Sequence, residues 1–136
     1  MKEELLGPKV NDVLVAVVEE ENELGETIYN VYLINNRPTL LEGVLVSSRG
    51  YAVNAATDEK IETTMLRHFL DQVPPLSYKK IEPIMEDVFG LNNEYWVSFW
   101  IDRVMHDKKF IFLSETIKKE NFKTVPIIEK PGVIIG

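Results

Sequence analysis

Tyr95-Trp96-Val97-Ser98-Phe99-Trp100-Ile101 runs through Asp102-Arg103 into Val104-Met105-His106-Asp107-Lys108-Lys109-Phe110-Ile111-Phe112-Leu113, and this stretch decides the fold. Aromatic and β-branched residues suit a pleated surface, and the polar pair at 102–103 divides one apolar run into two. The stretch therefore predicts two adjacent strands at the centre of a sheet. Alternation then sorts the side chains. Trp96, Ser98 and Trp100 share one face of the first strand; Tyr95, Val97, Phe99 and Ile101 share the other. Phe99, between Val97 and Ile101, is assigned to the core face. That assignment leaves both tryptophans of the chain on the opposite surface.

Working outward, residues 10–18 are nearly continuous β-branched apolar sequence, which suits a strand covered on both faces. A polar turn follows at Glu19-Glu20-Glu21-Asn22-Glu23-Leu24-Gly25-Glu26, and residues 27–34 read as a second strand that pairs with the first. Residues 40–47 predict a third strand, broken at Arg49-Gly50 and followed by a polar connection over 51–57. Residues 60–73 admit two readings. Ile61, Met65, Leu66, Phe69, Leu70 and Val73 recur at near-helical spacing behind a capping Thr57, whereas Thr63-Thr64 are poor interior helix residues and Pro74-Pro75 closes the segment. The strand reading is preferred. Residues 78–82 predict an edge strand ended by Pro83, residues 86–91 one helical turn, and residues 114–119 a short helix capped by Ser114. Residues 125–129 read as a last strand and Lys130-Pro131-Gly132 as a turn before the apolar Val133-Ile134-Ile135. The fold expected is mainly β, a single antiparallel sandwich or curled sheet of about six or seven strands with one or two short helices. The alternative is α+β with residues 58–72 helical. Either way the chain is one domain over residues 1–136.

Composition narrows the function classes. The absence of cysteine removes disulfides, zinc–thiolate sites and thiol catalysis. The formal charge of −7 sits in the N-terminal half: residues 1–75 carry 6 Lys/Arg against 13 Asp/Glu, and residues 76–136 carry 9 of each. An acidic field repels phosphate backbones and anionic lipid, so neither nucleic acid nor membrane is expected as a partner. The pairs Lys79-Lys80, Lys108-Lys109 and Lys118-Lys119 read as solvated edges that discourage aggregation. Residues 1–8 lack the apolar run of a signal peptide and no 18-residue apolar stretch exists, which predicts a cytoplasmic location. Gly43, Gly50 and Gly90 form no phosphate-cradling loop, the serines lack a nucleophile elbow, and the glutamates at 19–23 lack calcium-loop spacing. No cofactor or metal is expected.

Two kinds of site remain. The face bearing Trp96, Ser98 and Trp100 suits a peptide, sugar or base, where stacking contributes about 1–3 kcal/mol per contact. Alternatively, Arg67-His68 or His106-Asp107 could supply a histidine that works with a carboxylate in proton transfer. Glu82, Glu86 and Asp87 read as solvent-facing acids that cap the short turn. The function expected is a non-catalytic binding or protein-interaction module with Trp96, Ser98, Trp100, Arg67 and His68 as binding residues. It would work as a homodimer or with a protein partner that covers the indole face or the apolar tail. The alternative is a small enzyme using His68 or His106. A concave pocket gathering a histidine, an acid and Arg67 would favour the enzyme; a flat or partner-covered aromatic face would favour the module.

Leu66-Arg67-His68-Phe69, Tyr78-Lys79-Lys80-Ile81-Glu82-Pro83-Ile84, Asn93-Glu94-Tyr95-Trp96-Val97-Ser98 and Asp107-Lys108-Lys109-Phe110-Ile111-Phe112 resemble a family of small uncharacterised bacterial proteins. Some of its members are labelled phenylalanyl-tRNA synthetase alpha subunit-like, and the resemblance covers most of the chain. A class II synthetase core needs far more chain and arginine-bearing ATP-binding motifs, so the resemblance implies neither that activity nor any site residue.

Overall fold

The apolar run near the N-terminus becomes β1 (Val13–Glu21), which pairs antiparallel with β2 (Thr27–Asn35) in unbroken register from Val13–Asn35 to Glu21–Thr27. The structure, a computed structural model, describes residues 10–54 and 56–136, with Asn54 as backbone only; the acidic segment 1–8 lies outside the described residues. The chain continues through β3 (Leu41–Asn54), β4 (Glu59–Glu62), β5 (Leu66–Val73), β6 (Ser77–Pro83), β7 (Asn92–Ile101), β8 (Val104–Phe112), β9 (Lys123–Thr124) and β10 (Pro131–Ile135). These form two antiparallel five-stranded sheets. The first has the order β6-β2-β1-β10-β9; in the second, β3-β7-β8 run side by side and the free edge of β3 is shared by β4 and β5.

The sheets pack face to face. Val15, Val17, Val31 and Leu33 of the first meet Val44, Val46, Val97, Phe99, Phe110 and Phe112 of the second in one core. The other face of β1 is covered as well, because Ala16 and Val18, with Ile34 beside them, pack under Val125 and Ile128. Double burial is the physical reason that β1 shows no polar alternation. β7 and β8 form the hairpin expected from the sequence. Its two-residue turn puts Asp102 and Arg103 at φ 47° and 67°, the positive angles that match the twist of the flanking strands. Tyr95, Val97, Phe99 and Ile101 are buried, whereas Trp96 and Trp100 are exposed. Among the described residues no helix is long and apolar enough to cross a membrane.

Several expectations are corrected. Arg49-Gly50 does not break the third strand, which runs on to Asn54 through much of the expected connection. A strand that long presents an edge of backbone groups needing partners, and residues 60–73 supply them: β5 pairs with its first half and β4 with its second. A helix there would leave that edge unpaired. The described residues thus form ten strands where six or seven were expected. The helical turn at 86–91 is a 3₁₀ turn at Glu86–Val88. The helix expected over 114–119 is absent: Ser114 donates its hydroxyl to the Gly90 carbonyl oxygen, and a 3₁₀ turn follows at Lys119–Asn121.

The largest correction concerns the C-terminus. Residues 125–129 are a folded loop, with Ile127 and Glu129 at positive φ, and the strand is 131–135. β10 lies between β1 and β9, with Val133 opposite Val17 and Ile135 opposite Val15. Gly132 passes so close to the Val17 carbonyl that a Cβ would collide with it. Lys130 Nζ donates to Glu20 Oε2 at 2.6 Å. Tyr32 and Asn30 donate to the other oxygen of Glu20. Burial alone would raise the Glu20 pKa, but these donors outweigh it and hold the carboxyl below its ordinary value. The apolar tail is therefore a strand of the protein's own sheet, with Val133, Ile134 and Ile135 half-buried there.

Two outcomes are expected. Phe99→Ala, at a fully buried position, should cost about 3–5 kcal/mol in chemical denaturation, and a loss below about 1 kcal/mol would mean that the core is not built on this face. A chain ending at Lys130 loses an interior strand of the first sheet, so its near-ultraviolet circular dichroism and cooperative unfolding should be lost.

Candidate functional site

The outward-pointing side chains of the second sheet lie in rows across its strands. Arg67, Ser47, Trp96 and Lys109 form one row; Phe69, Leu45, Ser98 and Asp107 form the next; Glu42, Trp100 and Met105 form a third. In this small area Phe69 is 69% exposed, Trp100 44% and Trp96 41%, and Leu45 and Met105 are exposed beside them. Local backbone chemistry shapes the surface. A bulge in β3 places Gly43 at φ +56°, and its missing side chain leaves room for the Trp100 indole, whose Cδ1 would stand 3.1 Å from a Cβ there. Lys109 Nζ lies over the Trp96 ring, 4.5 Å from its centroid.

Four of the five residues singled out in the sequence, Trp96, Ser98, Trp100 and Arg67, are thus gathered on one face. His68 is not among them. It follows Arg67 on the same strand and so points to the other side, into the space between the sheets. There its Nε2 lies 2.7 Å from Glu82 Oε1. The same carboxylate oxygen accepts the Ser48 hydroxyl at 2.8 Å, and Oε2 accepts the Tyr95 hydroxyl at 3.1 Å. Glu82, expected to face solvent, is instead the centre of a polar cluster joining β3, β5, β6 and β7. Nothing in its local sequence marks this role, because the side chain turns inward only once β6 is docked on the edge of β2. Burial and the neighbouring Glu82 charge raise the Tyr95 hydroxyl far above the ordinary phenol pKa, so it stays a donor.

Beside this cluster is an open cleft of about 400 Å³, lined by Ser48, Leu66, Glu82, Ile84, Met85 and Tyr95 among others. His68 meets the cluster through Nε2, the ring nitrogen in contact with Glu82. Arg67 cannot join it from the opposite face. Arg49, on the cleft's rim, directs its guanidinium to the outer surface, 3.2 Å from Glu94, whose hydrogen bond and charge raise its pKa further. His106 is remote: β3 and β7 separate its strand from that of His68, about 14 Å at the usual spacing. Its ring stacks on Phe99 with centroids 5.5 Å apart, and it is buried. Among the described residues no group of three or more acids and histidines is arranged to hold a metal ion, and no buried side-chain polar atom lacks a hydrogen-bond partner.

Fold and sites together define a β sandwich that carries an exposed aromatic sheet face on one side and a satisfied polar lock inside. No family model matches the chain, and neither a curated protein nor a solved structure matches it.

Glu82→Leu would leave the Ser48, Tyr95 and His68 donors without their acceptor and should cost about 2–4 kcal/mol in urea denaturation. A loss below about 1 kcal/mol would show that water takes over the carboxylate's place.

Proposed function

We propose that this protein is a non-catalytic interaction module whose docking surface is the outer face of the second sheet. One observation carries the reading: Leu45, Phe69, Trp96, Trp100 and Met105, five exposed apolar side chains on four adjacent strands, sit together on one face. Soluble monomers rarely leave so concentrated an apolar patch uncovered, and aromatic residues with an arginine at the edge are the composition that interfaces favour. Ser47 and Ser98 lie between the larger groups and keep the middle of the surface low. The face is a sheet rather than a pocket, which suits a protein surface better than a small molecule.

The charge distribution argues against a nucleic-acid role. Lys79 and Lys80 lie on β6, at the edge of the first sheet, and Lys108 and Lys109 on β8, at an edge of the second. Lys118 and Lys119 pair with Glu120 and Glu19. The three pairs therefore form no common stripe along which a phosphate backbone could run. The enzyme alternative keeps one supporting observation, the 2.7 Å contact between His68 and Glu82 at the cleft. All three donors to Glu82 come from within the chain, which favours a structural cluster.

A docking surface and a structural surface respond differently to truncation. Replacing Trp96 and Trp100 together with serine should change unfolding stability by less than about 1 kcal/mol, because the indoles contribute to binding rather than folding. A loss of about 3 kcal/mol or more, of the size expected for core aromatics, would make the face structural and overturn the reading.

A further inference from the structure

We infer that the occupant of this face is a second copy of the same chain, packed sheet to sheet about a two-fold axis that runs across the strands along the Leu45–Ser98 row. The inference rests on the docking reading above and names its partner.

Charge supplies the first argument. Two molecules of net charge −7 repel each other over most of their surfaces. The three rows of the face carry Arg67 and Lys109 against Glu42 and Asp107, so these rows have no net charge and add nothing to that repulsion. The order of those charges supplies the second argument. Both cations stand in the Trp96 row, and Glu42 stands in the Trp100 row, with the Leu45–Ser98 row between them. Rotation about the middle row lays the Trp96 row of one molecule over the Trp100 row of the other. Arg67 then reaches the partner's Glu42, Trp96 meets the partner's Trp100, and symmetry makes each contact twice. The axis along the middle row also sets Asp107 against its own copy, one like-charge contact against two Arg67–Glu42 pairs, whereas the other in-plane two-fold, parallel to the strands between β3 and β7, would lay Arg67 over the partner's Lys109 twice with no opposite pair in return. Covering Trp96 also removes water from the Lys109 cation–π contact, which strengthens it. Aligned packing of two sheets, with strands offset by about 30°, accommodates this arrangement. The footprint of three rows is below the roughly 800 Å² per partner of a standard interface, so the dimer is a weak one.

Because the chain's two tryptophans both lie on this face, their fluorescence reports on it directly. Sedimentation velocity and acrylamide quenching of the intact chain, followed from about 1 μM to about 1 mM, should show a monomer–dimer equilibrium, with quenching falling in step with dimer formation. Arg67→Glu and Glu42→Arg should each weaken the dimer at least about tenfold, and the two combined should restore it to within about threefold, since the exchanged pair again attracts. A monomer at every concentration overturns the assignment to a second copy and leaves the docking face to be judged by the tryptophan stability measurement. A dimer whose tryptophans stay as quenchable as the monomer's forms through another surface and likewise overturns the assignment of this face to a second copy. Single variants that dimerise as the parent does, or a combined variant no better than either single one, overturn the two-fold arrangement proposed.

Discussion

The alternation of side chains along β7 is the constraint on which the rest of the structure depends. Burying Tyr95, Val97, Phe99 and Ile101 against the first sheet obliges their neighbours Trp96, Ser98 and Trp100 to point away from it. The strand cannot slip by one residue to bury the indoles instead, because the slip would expose Phe99 and Val97 and carry Glu94 and Ser98 into the core. β3 and β8 inherit the same division through their register with β7, which is how Leu45 and Met105 come to lie beside the tryptophans. The core and the exposed apolar face are consequences of one pattern.

The two sheets are joined by more than apolar packing. Glu82 reaches from β6 of the first sheet to Ser48 and Tyr95 of the second, and His68 closes the cluster from β5. Apolar contacts are tolerant of small slides, whereas hydrogen bonds to a partly buried carboxylate such as that of Glu82 fix relative position to a fraction of an ångström. The cluster therefore sets how the β5–β6 connection docks. At the other side of the first sheet, Lys130 and Glu20 hold the loop that precedes β10, so each crossing element has a polar pin.

Function follows from what these interactions leave over. Among the described residues no buried side-chain polar atom lacks a hydrogen-bond partner. The outer face of the second sheet retains large apolar side chains whose burial would stabilise a complex, and its charges balance where those of the whole chain do not. An aromatic sheet surface of this kind is a structural by-product when other chains ignore it and an interface when one does not.

Local pattern was enough for the parts of the molecule governed by period-two alternation. The β1–β2 and β7–β8 hairpins, the double burial of β1, the edge position of β6 and the two-faced character of β7 are all legible in residues close together in sequence, because alternation and turn chemistry act over a few residues. Tertiary structure decided the rest. The helical spacing in residues 60–73 yields to two strands because a long β3 edge needs partners, and that edge is built by residues far away. The tail joins the first sheet because β1 offers it an open side and Gly132 can approach Val17 closely, neither of which is written in Val133-Ile134-Ile135 itself. Glu82 shows the limit most clearly: beside Pro83 it reads as a solvent-facing acid, and only the meeting of two sheets gives its carboxylate three donors to accept.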